Sequence, residues 1–213
     1  MVSTLIATAS RAGNAAFLAG AAVLLAFSLI LSMRRARTIW ATSGAFAVLA
    51  GLAVLFAMNG NMLAAHLDDL AGGGISSTTR LVLWGAAMRM IHDAPLLGLG
   101  LGSYQSAYPM YSDVTMRFIM DRVHNDYLEL AAGWGLAAAL LWCSAIVWLT
   151  WICARGVLTR RRNRVYPMLA VGAGVLVGAH SIFDFSLQMP AIALAYAAIL
   201  GLGVAQAFST REL

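Results

Sequence analysis

The sequence predicts an all-α integral membrane protein. Three observations carry this: a composition too apolar for a water-soluble fold of this length, five apolar runs of membrane-crossing length, and arginines gathered on alternate connections between those runs. Of 213 residues, 61% are hydrophobic and 11% charged, where soluble domains carry about 25% charged residues. A chain this apolar needs lipid as part of its solvent. All fourteen basic residues are arginine, and the net charge of +5 follows from arginine collecting at the cytoplasmic ends of membrane helices, not from a nucleic-acid partner. The two cysteines, Cys143 and Cys153, sit in or beside one apolar run. They make neither a disulfide framework nor a metal site.

The runs are roughly 13–33, 38–58, 129–153, 166–183 and 189–208, each near the ~20 residues that cross the hydrocarbon. Their glycines (Gly51, Gly172 and Gly201 among them) are ordinary in membrane helices. Arg34, Arg35 and Arg37 lie between the first and second runs. Arg155, Arg160, Arg161, Arg162 and Arg164 lie between the third and fourth, and Arg211 follows the fifth. If each run crosses once, these connections share one side, which the positive-inside rule makes cytoplasmic. The segment 59–128 then lies outside and holds most of the acid: Asp68, Asp69, Asp93, Asp113, Asp121 and Asp126. The short turn 184–188 faces the same way. The whole chain, 1–213, reads as one membrane domain. Its first ten residues, MVSTLIATAS, resemble the last turns of a membrane helix. They suggest either a chain entering from inside a larger membrane domain or a short interfacial N-terminus.

Within the outer segment, 59–77 is polar and glycine-rich and reads as a loop. Ser76, Ser77 and Thr78 are N-cap candidates for an amphipathic helix over 79–92. In it Leu83, Trp84, Ala87, Met88 and Ile91 recur at helical spacing. Arg80 and Trp84 share a face, and Pro95 ends the helix. PLLGLGLGSYQSAYPMY follows, from Pro95 to Tyr111. Its alternating Gly98, Gly100 and Gly102 are not set between a strand and a helix as a nucleotide loop requires. A tight turn where backbone approaches a neighbouring helix is the expectation.

MDRVHNDYLELAAGWG then starts a helix that continues into the third run, with His124 at its beginning and Asp121 as N-cap candidate. The positive end of the helix dipole disfavours an imidazolium there and leaves the ring able to accept a proton. Two readings stand for His124: a general base, or an interfacial histidine bonded to a neighbour. His66 and His92 lack a comparable setting. His180 lies at the outer end of an apolar run with Asp184 one turn on. This pair reads as structural, with a functional role as the alternative.

Several strings taken together resemble the O-antigen ligase/polymerase superfamily: Arg80-x-x-x-Trp84 with PLLGLGLGSY, then HNDYLELAAGWG, then HSIFDFSLQMPA. The family's outer loop carries an early arginine and a late histidine, which fall here on Arg80 and His124. A T-x-S-R-G-like motif at an earlier helix boundary falls on Thr8, Ser10 and Arg11. The ligase pattern after the histidine is met by Asn125 and Gly135, and its last position, a glycine, threonine or tyrosine in the family, is departed from at Ala138. The likeness implies the C-terminal part of a larger GT-C-like helical membrane fold in the bacterial inner membrane. It also implies glycan transfer from undecaprenyl pyrophosphate to a hydroxyl of lipid A core, growing glycan or protein, at the periplasmic face. Arg11, Arg80 and His124 are its implied catalytic residues, with Trp84, Tyr104 and Asn125 on the substrate. No metal or cofactor is implied, and the partners are the lipid-linked donor, the acceptor and the bilayer. The alternatives are a non-catalytic or truncated membrane protein that binds lipid-linked glycan, and a small transporter. Against the transporter, the polar groups gather in one outer segment and no repeat is visible.

Overall fold

The computed structural model describes residues 11–32, 77–112 and 120–208. The run predicted at 38–58, the loop 59–76 with His66, and the Thr8 and Ser10 of the early motif lie outside the described residues. Among the described residues all regular structure is helical: α1 (Arg11–Ser32), α2 (Ser77–Asp93), α3 (Tyr104–Tyr111), α4 (Asp126–Thr159), α5 (Val165–His180), a 3-10 turn (Ser186–Gln188) and α6 (Pro190–Ala207). Three helices are long and apolar enough to cross a membrane: α1 over Gly13–Leu31, α4 and α6. The apolar α5 has 16 residues, or ~24 Å at 1.5 Å per residue, less than the ~30 Å of hydrocarbon. It stops at His180, where the run predicted from the sequence continues to 183.

The chain divides into two compact units. The first comprises residues 1–74, 149–180 and 194–213. Its helices meet through small residues. A Cβ on Gly20 would lie 2.8 Å from the Gly172 carbonyl oxygen, and one on Gly156 would lie 2.6 Å from the Ala207 Cβ. Such close backbone approach is how helices gain van der Waals contact where lipid removes the hydrophobic incentive to associate.

The second unit, residues 75–148 and 181–193, has a conventional apolar core. Leu83, Ala86, Ala87, Met90 and Ile91 line the buried face of α2. They pack with Tyr104 and Tyr108 of α3, with Val123, and with Ala131, Ala132 and Ala139 of α4. The stripe follows the predicted helical period, except that Met88 faces out and Met90 is buried. Arg89 of α2 donates from Nε (2.9 Å) and Nη2 to the Tyr111 carbonyl, tying α2 to the end of α3.

The glycine loop behaves as the backbone-approach reading expects. Gly98, Gly100 and Gly102 all have positive φ, and a Cβ on Gly98 would collide with the Gly133 carbonyl. The loop inserts into a break in α4 at Gly135 (φ 81°, ψ 163°). Leu136 N–H, which an unbroken helix would direct to Ala132, donates to the Pro95 carbonyl at 2.7 Å. Leu99 N–H and Gly100 N–H serve the Ala132 and Gly133 carbonyls at 2.9 and 3.0 Å. The break therefore leaves these backbone groups satisfied.

Candidate active site

The second unit builds a polar cluster around the start of α4. The helix begins at Asp126, not at His124, and its N-cap is Asn125, not Asp121. Asn125 Oδ1 accepts from Leu128 N–H at 3.0 Å and its main-chain carbonyl accepts from Glu129 N–H at 3.0 Å, the geometry of a side-chain cap. Glu129 reaches back to accept from Val123 N–H at 2.9 Å. His124 is thus held between two tethered neighbours, in a left-handed backbone conformation (φ 54°). Non-glycine residues adopt this conformation seldom, histidine more readily than most.

Opposite this turn lies the segment 181–188, fastened by the first residue of α4. Asp126 is 7% exposed, and its carboxylate accepts three hydrogen bonds: Ser181 Oγ (2.8 Å) and Leu187 N–H (2.9 Å) on Oδ2, and Gln188 Nε2 (3.2 Å) on Oδ1. Asp126 N–H donates to the Ser181 carbonyl at 2.9 Å, and Asn125 Nδ2 to the Ile182 carbonyl at 2.9 Å. Arg122 completes the clasp. It donates to Glu129 Oε1 (3.1 Å) and Gln188 Oε1, with its guanidinium 5.9 Å from the centre of the Phe185 ring.

These bonds bring Asp184 to His124. The imidazole Nδ1 lies 3.2 Å from Asp184 Oδ1, with side chains 15% and 36% exposed. Phe185 N–H holds the same carboxylate oxygen at 2.9 Å. The Phe185 ring meets the imidazole edge-on, centroids 4.9 Å apart. A carboxylate at Nδ1 selects the tautomer with the proton on Nδ1, leaving the Nε2 lone pair to accept one. Nε2 has no hydrogen-bond partner among the described residues. This is the constellation of an oriented general base. The carboxylate at the ring, Asp184, comes from a segment sixty residues away and not from the helix that follows His124.

The other expected site residues divide. Arg80 and Trp84 lie one turn apart on α2. Arg80 Nε and Trp84 Nε1 are both shielded from solvent and without a hydrogen-bond partner among the described residues, so each donor is available to an acceptor. Trp84 packs on the core cluster that includes Val123, the residue before His124. Trp84 and the residue before His124 therefore share one core. Tyr104, expected on the substrate, is 4% exposed and donates its hydroxyl to the Leu83 carbonyl at 3.3 Å. Burial, with Tyr108 and Glu129 nearby, pushes its pKa far above the usual value, so it stays a protonated core donor. Asn125, also expected on the substrate, has both side-chain groups occupied as cap and tie. Arg11 opens α1 in the first unit; its side chain is not among those described. Asp184 was visible as the acid of HSIFDFSLQMPA, and Asp126 as the acid of HNDYLEL. No local spacing joins either to its partner sixty residues away.

A protein-family model described as O-antigen ligase matches residues 1–143. That range takes in Arg11, Arg80, Trp84 and His124 and stops short of Asp184. No curated protein and no solved structure matches the chain.

Proposed function

The chain belongs to the O-antigen ligase family, and we propose that its second unit transfers a glycan from undecaprenyl pyrophosphate to an acceptor hydroxyl at the periplasmic face of the inner membrane. The observation that carries this reading is the His124–Asp184 pair with Nε2 left open. A hydroxyl must lose its proton as it attacks the anomeric carbon, and Nε2 is placed to take it. Asp184 keeps the ring in the accepting tautomer and stabilises the imidazolium that forms. The bond from C1 to the pyrophosphate oxygen breaks as the bond from C1 to the acceptor oxygen forms. The electron pair leaves with undecaprenyl pyrophosphate, which later takes the proton from His124 directly or through water.

The growing negative charge on the leaving group needs donors. Arg80 Nε and Trp84 Nε1, one turn apart and unpartnered among the described residues, fit that task; the family motif also singles out Arg11. Arginine suits a phosphate because its planar fork meets two oxygens at once. Donors already in place when charge develops lower the barrier without reorganising. The pyrophosphate linkage supplies the energy. The acceptor is a lipid A core sugar, a growing glycan or a protein side chain.

Reconstitution of the full-length protein in proteoliposomes tests this. Undecaprenyl-pyrophosphate-linked glycan is supplied with each acceptor class in turn. Glycan on one acceptor, with free undecaprenyl pyrophosphate released in step, is the expected result. Glycan that binds tightly and is never transferred to any of them would mean a binding protein, and the reading would fail.

A further inference from the structure

We infer that the loop from Pro95 to Gly102 is a membrane anchor: Leu96, Leu97 and Leu101 are seated among bilayer acyl chains and set the height of His124 above them.

The three leucines are 70%, 86% and 76% exposed, whereas Leu99 between them turns inward onto the core. Burying a leucine fully is worth about 1.5–3 kcal/mol, so a mobile loop facing water would fold such side chains back. This loop is fixed. Leu99 and Gly100 N–H donate into the break in α4, Leu136 N–H returns a bond to Pro95, Gly98 N–H bonds Ala94, and Ser103 closes the turn on the Gly100 carbonyl. Positive φ at Gly98, Gly100 and Gly102 sets its path. A rigid apolar display of this kind marks contact with an apolar partner.

The level of the loop identifies that partner. Its bonds go to residues 132–136, inside the apolar helix that is long enough to cross a membrane. Arg155 is the first of the arginines that close this span. Counting back the ~20 residues that fill ~30 Å of hydrocarbon reaches Gly135. The exposed leucines of the span, Leu136, Leu140 and Leu141, begin directly after the break. The loop thus stands at the hydrocarbon boundary, and its apolar surface continues the one the span presents to lipid. Beyond the break α4 runs back through Trp134 to Asp126, roughly 13 Å of helix at 1.5 Å per residue. His124 then sits at or just above the headgroups, where a lipid pyrophosphate and an acceptor meet. The height argument rests on His124 as the base; the seating of the loop does not.

Tryptophan placed in the full-length protein and quenched by brominated phosphatidylcholine in nanodiscs reads depth directly, with the emission of the six native tryptophans subtracted. Leu97→Trp should lose most of its added emission to bromine on the acyl chains and resist iodide in the water. Leu96→Trp and Leu101→Trp serve as independent reporters should one variant fold poorly. Tyr127→Trp, beside His124, should be quenched by iodide and little by bromine. Loop tryptophans quenched by iodide and not by bromine overturn the anchor. Bromine quenching relieved by adding undecaprenyl pyrophosphate also overturns it, because the occupant would then be the donor's isoprenoid chain. Equal deep quenching at Leu97 and Tyr127 overturns the height claim. No arm of this assay depends on transfer, so it separates failure of the anchor from failure of the catalytic reading.

Discussion

Asp126→Asn keeps the shape of the side chain that fastens residues 181–188 and removes its charge. The carboxylate accepts from Ser181 Oγ and Leu187 N–H on one oxygen and from Gln188 Nε2 on the other. An amide nitrogen on the first oxygen's side would face two donors, so asparagine should turn it toward Gln188. There it meets another donor, and Gln188 cannot flip without surrendering Arg122. One charge-assisted bond is lost and two are weakened. At about 1.5–3 kcal/mol for a bond to a charged group, the loosening comes to roughly 3 kcal/mol, or about a hundredfold in a local equilibrium. Asp184 rides on this segment, so transfer should fall by up to about a hundredfold if the loosened form is inactive. Amide hydrogen exchange at Leu187, read beside single-turnover transfer in the full-length protein, checks both halves. Wild-type protection and wild-type transfer together would refute the fastening role. Lost transfer with unchanged protection would refute it too, because Asp126 would then act in the chemistry itself.

Gly135→Ala should lower stability by roughly 3 kcal/mol or more. Its backbone lies in a region about 1–3 kcal/mol unfavourable for other residues, and the new methyl would collide with the Leu96 carbonyl; thermal unfolding in nanodiscs measures this. Tyr104→Phe should cost about 1 kcal/mol through the lost hydroxyl bond to the Leu83 carbonyl and leave transfer unchanged, whereas a substrate-binding tyrosine would show in KM. Arg80→Lys should lose most transfer and weaken donor retention, because a point charge does not replace a planar fork. Arg89→Lys should loosen α2 from α3 with transfer kept. Equal transfer losses in the two would remove support for the donor role of Arg80.

The membrane class and the helices at α1, α4 and α6 were legible because length and apolarity alone decide them. So was the buried stripe of α2, and the glycine loop as a site of backbone approach. Its partner was not legible, since AAGWGLAA reads as an unbroken apolar helix until Gly98 is brought against Gly133. The cap was misplaced for a related reason. Asp121 and Asn125 are both good caps, and the choice fell to Asn125 once Glu129 had tied Val123 and left His124 in a turn. The approach of Asp184 to His124 was not legible, because sixty residues separate them and a continuing helix would stack Asp184 on His180. The helix ends at His180, and the freed segment carries the carboxylate to His124. Tyr104 packs in the core and Asn125 caps α4, roles that a motif alone does not distinguish from contact with substrate.

The measurement that bears most directly on the central claim is single-turnover transfer in a double-mutant cycle on His124 and Asp184, with donor binding followed in the same samples. His124→Ala should bind the lipid-linked donor nearly as well as wild type and transfer it about 10² to 10⁴ times more slowly. Asp184→Asn should slow wild type and add almost nothing once His124 is gone, because its effect runs through the ring. Folded His124→Ala transferring at the wild-type rate, or Asp184→Asn keeping its full effect without the histidine, would contradict the account.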